Sequence, residues 1–392
     1  MTDKSTIPVI LKGGARTPIG RFLGGLSPLS PPELGTIAVR AAIARAGIEA
    51  SDLDEVIMGN VVSAGGGQAP ARQAAVNGGV PATIPALTIN KVCGSGLKAV
   101  MLAAQAVRAG DARLVLAGGM ESMSNVPFYA RGLRDGVKLG NQTLEDGLIH
   151  DGLWCSFGDC HMGGYAEYTA DKAGVTRSDA DEFSLHSHQK AVEATREGRF
   201  RNEIVPVEVE GRRGVTVVDT DEGPRADSSL EALAKLRPVF KRDAPEGIDE
   251  HVVTAGNAPG LNDGAAAVVV ASLEYAEAHG LEVDAFISAY AVSATEPQDL
   301  FFAPIAAVNN LMQKEGKEIG DYELVEVNEA FASVVLRFEQ AFGVDHDKVN
   351  VNGGSIAMGH PLGATGAIIL GTLLDELERS GKGTGLATLC IG

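Results

Sequence analysis

Gly47-Ile48-Glu49-Ala50-Ser51-Asp52-Leu53-Asp54-Glu55-Val56-Ile57-Met58-Gly59-Asn60 reads as a helix end, an acidic turn and a buried strand. The same order returns in Gly316-Lys317-Glu318-Ile319-Gly320-Asp321-Tyr322-Glu323-Leu324-Val325-Glu326-Val327-Asn328. Asn60 and Asn328 stand 268 positions apart. A recurrence at that spacing marks a duplicated unit rather than a short structural repeat.

Working outward, the register holds. Asn90-Lys91-Val92-Cys93-Gly94-Ser95-Gly96 opens an Ala-rich helical stretch ending near Gly110, and a strand-like run follows, Leu114–Gly119. In the second half Asn352-Gly353-Gly354 leads through Gly359-His360-Pro361 into a helical run to Leu377, followed by Leu386–Cys390. Cys93 and His360 are 267 positions apart. Short apolar strands alternating with amphipathic helices predict α/β layers with mostly parallel sheets. The expected organisation is a first half, 1–120 plus 250–284, an inserted loop domain, 121–249, and a second half, 285–392. Val268-Val269-Val270 is expected to return as a buried strand to the first half's sheet.

A chain of 392 residues, 45% of them hydrophobic, can bury substantial cores, and its 49 glycines lie between patterned apolar segments as turns do. The net charge of −18 repels phosphate backbones and anionic lipid, which argues against nucleic-acid and membrane partners. No apolar run reaches membrane-spanning length, and the N-terminus, Met1–Thr6, is polar. Four scattered cysteines make no disulfide framework; a reducing, cytoplasmic compartment is expected, with free thiols available for chemistry. The insertion concentrates positive charge between 195 and 245, including Arg196, Arg199, Arg213, Arg225, Arg237 and Lys241. From composition alone this is a solvated face, with an anion-binding surface as the alternative.

Cys93 lies in a Cys-Gly-Ser-Gly turn ahead of a predicted helix, where unpaired N–H groups lower a thiol's pKa and can cradle an oxyanion. The alternative is a small buried hydrophobe. His360 precedes Pro361, which suits the first helical position; a general base and a capping residue are equal readings there. Asn328 follows a buried strand and could hold a water or a carbonyl, or simply cap a helix. Cys390 alone would be structural, yet the repeat brings it towards Cys93 and His360. Cys155, Cys160 and His161 form C-x4-C-H, but without a second ligand pair they are not read as a metal site.

Read in order, Arg16–Gly20, Asn90–Gly96, Asn328–Phe331, Gly359–Gly366 and Leu389–Gly392 resemble the thiolase family, with support from Gly118–Ser124 and Thr254–Asn257. The resemblance covers nearly the whole chain and is closest to the biosynthetic, short-chain type. It implies two pseudo-equivalent βαβαβαββ halves in an α-β-α-β-α layered core with an inserted loop domain, and a homodimer or homotetramer. It implies acyl transfer between coenzyme A thioesters, acetoacetyl-CoA being favoured, with acyl-CoA and CoA as partners and no metal or redox cofactor. Cys93 would carry the acyl group, and His360 would activate it. Cys390 would move the α-proton. Asn328 would pair with His360 in one oxyanion hole, and the N–H groups of Cys93 and Gly392 would form the other. Arg225 would meet the nucleotide end of CoA. Leu153, His161, Met162, Phe240 and Phe331 would line the pantetheine and acyl channel.

Two departures stand out. Ala258-Pro259-Gly260 replaces the family's Ala-Ser-Gly, removing a hydroxyl that would bond a pantetheine amide at this CoA-binding turn. The family motif continues past Cys-x-Gly with more glycines and a closing strand. Here the sequence stops at Gly392: either it is cut short or the closing strand is absent, which would weaken the oxyanion hole and the last sheet edge. Two rival readings remain: a ketoacyl synthase-like condensing enzyme, which would lack the second cysteine, and a non-catalytic acyl-CoA carrier or scaffold subunit. A longer-chain degradative thiolase is the alternative within the family.

Overall fold

The computed structural model describes residues 3–212 and 214–392; Met1, Thr2 and Arg213 lie outside them. The first half runs β1 (Pro8–Leu11), α1 (Pro31–Ala46), β2 (Glu55–Gly59), α2 (Pro70–Asn77), β3 (Ala86–Ile89), α3 (Ser95–Ala109) and β4 (Leu114–Ser122). Two long helices of the insertion follow, α4 (Met162–Ala173) and α5 (Arg177–Glu197), before β5 (Asn262–Ser272). The second half holds β6 (Val283–Phe286), α6 (Ala303–Glu315), β7 (Leu324–Val327), α7 (Ala332–Phe342), α8 (Leu362–Ser380) and β8 (Gly385–Thr388).

The duplicated segment folds alike in both halves. α1 and α6 both end on a left-handed glycine, Gly47 at φ 67° and Gly316 at φ 65°. A side chain would be strained there, so the helix stops. A single 3-10 turn follows in each, Ala50–Asp52 and Ile319–Asp321, and then the strands β2 and β7. β2 lies between β3 and β4, parallel to both. β7 is likewise parallel to β8, and a parallel bridge from Val325 to Val349 stands where β3 stands in the first half.

The first sheet has the order β6-β1-β5-β4-β2-β3, with the short segments Ala15–Arg16 and Gly20–Arg21 also pairing with β5. It is mixed rather than mostly parallel. The returning strand β5, which carries Val268–Val270, runs antiparallel to both β4 and β1. β6 pairs with β1, so the second half's opening strand sits at the edge of the first half's sheet. The sequence 283–286 places an apolar residue at each end of a short alternating run, and that pattern does not choose between two sheet edges.

Residues one apart serve opposite faces. Val56, Met58, Leu114 and Leu116 join the cluster beneath α1 and α2, while Ile57, Val115 and Ala117 join the one facing α3 and α8. Each such buried aliphatic side chain contributes roughly 1.5–3 kcal/mol. The layers run α1/α2, first sheet, α3/α8, β7/β8, then α6/α7. The outer edge of β8 meets no strand among the described residues and borders a cavity of about 750 Å³, lined on one side by Leu370, Leu373 and Leu377. Among the described residues no helix is long and apolar enough to cross a membrane.

Candidate active site

α3 and α8 meet backbone to backbone between the two sheets. A Cβ on Gly96 would stand 2.7 Å from the Ala367 nitrogen, and one on Gly366 would collide with the Leu97 backbone. Only glycine at these points lets the two helix starts, and the residues just ahead of them, approach so closely. Cys93 precedes α3 and His360 precedes α8.

The Cys93 turn is tied internally. Asn90 Oδ1 accepts from the Val92 N–H, and Ser95 Oγ accepts from the Lys91 N–H while donating to the Val92 carbonyl at 2.7 Å. Val92 is held at φ 44°, a left-handed conformation costly for a β-branched residue. The chain's last residues lie across this turn: Ile391 packs on Gly94, and Gly392 fits against Met162 and Val92. The N–H groups of Gly392 and of Cys93 itself lie near enough to the Cys93 sulfur to lower its pKa. Both therefore favour negative charge at the Cys93 sulfur.

His360 is fixed from three sides. Its N–H donates to Asn262 Oδ1 at 2.9 Å, its Nδ1 lies 2.7 Å from Thr365 Oγ1, and Asn328 Nδ2 approaches its Nε2 at 3.4 Å. Ser355 donates to Asn328 Oδ1 at 2.6 Å, which turns the amide's N–H2 towards the imidazole. Asn328 is 1% exposed and caps no helix, since α7 begins at Ala332 behind Phe331. Pro361 is the residue just before α8 rather than its first. Cys390 is buried at 1% exposure, close enough to Cys93 for a charge on one to disfavour a charge on the other.

Electrostatics correct one expectation. Burial pushes the Cys93 thiol up to about 11, against the lowering by its two N–H donors, and the nearby Glu121 carboxylate adds to the rise. Desolvation among Val61, Val62, Leu148 and Leu362 outweighs the helix start. Cys390 is raised well above the usual thiol range by burial and then by Cys93. His360 is pushed down to about 4 by burial. At neutral pH the site thus holds two neutral thiols and a neutral imidazole.

The remaining expected residues divide between two walls. Leu153 packs against the apolar cluster around Cys93. His161 stacks on Phe240 with ring centres 4.5 Å apart, and Phe240 meets Phe331 edge-on at 6.5 Å. Arg225, Ala258 and Gly260 line a second cavity of about 230 Å³ that reaches Gly359, the neighbour of His360. Pro259 is half-buried between Ala258 and Gly260 but does not line it. Within the basic stretch, Arg196 and Arg199 pair with Glu193 and Glu197.

Sequence reasoning missed Glu121, Asn262, Thr365, Arg21 and His188. Glu121 is fully buried and accepts from the N–H groups of Val61, Val62 and Gly363 and from Asn60 Nδ2, binding the end of β2 to the start of α8. Arg21 and His188 line the Arg225 cavity, and burial, Arg225 and Arg21 together press His188 down to about 4. The Glu in Gly118–Ser124 and the Thr in Gly359–Gly366 stand inside quoted motifs and could have been singled out. Asn262 had no local signal.

The chain has relatives among known proteins. The thiolase N-terminal domain matches residues 9–274 and the thiolase C-terminal domain residues 281–392. The acetyl-CoA acetyltransferase of Pseudomonas aeruginosa is 48% identical over 385 residues, 98% of this chain and 96% of that one. The acetyl-CoA acetyltransferase of Cupriavidus necator is 47% identical over 393 residues, 100% of this chain and 97% of that one. A probable acetyl-CoA acyltransferase of Staphylococcus epidermidis is 45% identical over 385 residues, 98% of this chain and 96% of that one. Two matched domains filling the described fold, together with relatives alike over nearly the whole length, establish that the chain belongs to the thiolase family.

Proposed function

We propose that the protein is an acetyl-CoA C-acetyltransferase that condenses two acetyl-CoA to acetoacetyl-CoA and CoA and catalyses the reverse thiolysis. The observations that carry this are the two neighbouring buried thiols, Cys93 and Cys390, ahead of α3 and after β8, and the His360–Asn328 pair ahead of α8, the helix that packs backbone to backbone on α3. The names of the relatives supply the acetyl group.

Cys93 attacks the thioester carbonyl and passes its proton to Nε2 of His360, which is neutral and so able to accept it. The carbonyl oxygen is held by His360 and Asn328 or by the N–H groups of Cys93 and Gly392. CoA leaves, and acyl-Cys93 remains. His360 hands its proton to the departing CoA sulfur and then takes one from the Cys390 thiol. The Cys390 thiolate so formed removes the α-proton of the second acetyl thioester, whose carbanion attacks acyl-Cys93 and releases a Cys93 thiolate that His360 reprotonates. In thiolysis Cys390 returns that proton. No metal or redox cofactor enters this scheme.

Arg225, with Arg21, receives the phosphates of CoA, while Leu153, His161, Met162, Phe240, Ala258 and Phe331 enclose pantetheine and the acyl group. Residues 1–120 with 250–284 and residues 285–392 form the two catalytic halves, and 121–249 form the CoA-binding and oligomer-contact insertion. The protein works in the cytoplasm as a homodimer or homotetramer. The test is incubation with acetoacetyl-CoA and free CoA, following loss of enolate absorbance alongside intact mass. Thiolysis with an acetyl adduct on Cys93 is expected. Absence of both adduct and turnover would sink the reading in favour of a carrier or a longer acyl substrate.

A further inference from the structure

Cys155 and Cys160 take no part in the chemistry above. They belong to two short antiparallel strands, Trp154–Cys155 and Cys160–His161, in which Cys155 is opposite Cys160 and Trp154 is opposite His161. Directly opposed residues point to one face with Cβ atoms about 4.5–5.5 Å apart, bordering the separation a disulfide spans. Both side chains are buried in the same apolar cluster, with the Tyr165 hydroxyl close enough to both sulfurs for them to raise its pKa. The thiols therefore lie side by side under one oxygen. Both are free.

Access is asymmetric. Cys155 lines a cavity of about 310 Å³ that also touches Gly94 and Gly392, whereas Cys160 lies behind it, its thiol pushed up first by burial. The hairpin also adjoins the acyl side of the site. His161 follows Cys160 directly and stacks on Phe240, and Met162 packs on Gly392.

We propose that Cys155 and Cys160 are a redox-active dithiol that closes to a disulfide on meeting a small-molecule disulfide, and that closure weakens acyl-thioester binding through His161 and Met162. The Cys155 thiolate attacks the small disulfide, forming a mixed disulfide and releasing one thiolate. The Cys160 thiolate then attacks the Cys155 sulfur and expels the second. Two protein thiols lose two protons and two electrons; the small disulfide gains both as two thiols.

The experiment treats the wild-type protein with oxidised glutathione, alkylates the remaining thiols, maps peptides, and measures thiolysis kinetics with and without later reduction. A Cys155–Cys160 linked peptide is expected, with a KM for acetoacetyl-CoA raised several-fold and restored by reduction. Oxidation at Cys93 would instead lower kcat by removing active molecules and leave KM alone. Cys160→Ser is expected to trap glutathione on Cys155, and Cys155→Ser to show no KM change on oxidation. Full alkylation of both cysteines after oxidation, or a linked hairpin with unchanged KM, would overturn the proposal.

Discussion

Asn328 Nδ2 lies 3.4 Å from His360 Nε2, and this contact fixes which imidazole nitrogen is bare. Thr365 donates its hydroxyl proton to the Pro361 carbonyl at 3.0 Å, so it accepts from His360 Nδ1–H at 2.7 Å. Nε2 is then the lone-pair nitrogen, facing an amide donor. In the proposed mechanism, once Nε2 has taken the Cys93 proton, it and Asn328 Nδ2 become two adjacent donors for an oxyanion. Asn328→Ala removes one of them. Its kcat is expected to fall about 10²–10³-fold, as for loss of one oxyanion-hole donor, with KM little changed. Steady-state thiolysis measures this, and a purely raised KM would contradict the assignment.

The acid limb follows from His360. The imidazole must be neutral to accept a proton, and burial holds it at about 4, below the ordinary 6.5. The acylation rate is therefore expected to stay flat from neutral pH down through 6.5 and to fall only as pH approaches about 4. Stability has its own sign. The unfolded chain binds this proton below 6.5 while the folded chain does not. The contribution is present above 6.5 and is lost as pH falls towards 4, amounting to about 3 kcal/mol. Single-turnover acylation after brief pH jumps reads the first effect, and denaturant midpoints against pH read the second. A rate that halves near pH 6.5 would show an exposed imidazole.

Gly366→Ala tests the close approach of the two helices. The new methyl would collide with the Leu97 backbone, forcing α8 away from α3. Overpacking of this kind costs typically 1–3 kcal/mol. The activity loss is expected to exceed what the lost stability explains, since Cys93 and His360 ride on the two separated helix starts. Comparing kcat with the folded fraction by denaturation separates the two effects.

Glu121→Gln tests the four-donor knot. The carboxylate accepts from Val61, Val62, Gly363 and Asn60, and an amide would set N–H2 against N–H donors. An unmet buried donor costs about 1–3 kcal/mol. The variant is expected to be less stable by that amount and to loosen His360 through Gly363. A fully stable and active Glu121→Gln would show that the knot positions nothing.

The repeat was legible because its punctuation is local. Gly47 and Gly316 stop helices by backbone conformation, and the strands after them are continuous apolar runs. The positions of Cys93 and His360 followed from the same register. What could not be read depends on distant neighbours. β6 joins β1 across the whole first half, and Asn262 reaches the His360 backbone from β5. The Cys93 thiol illustrates the limit best. The helix start that lowers its pKa is visible in Cys-Gly-Ser-Gly, whereas the apolar residues that raise it come from four other segments.

Cys390→Ala separates the two half-reactions. In the proposed mechanism Cys93 attacks a thioester with His360 alone, so the variant is expected to keep forming the acetyl adduct from acetyl-CoA at a rate near wild type. Condensation also needs a base for the α-proton, and loss of a positioned general base typically removes about 10²–10⁴-fold. Acetoacetyl-CoA formation should fall by that factor while the adduct accumulates. Cys93→Ala should show neither adduct nor turnover, yet bind CoA nearly as well as wild type. Intact mass after rapid quench distinguishes the two variants. If Cys390→Ala lost the adduct as completely as Cys93→Ala, Cys390 would have to act in acylation, and the division of labour between the two thiols would be wrong.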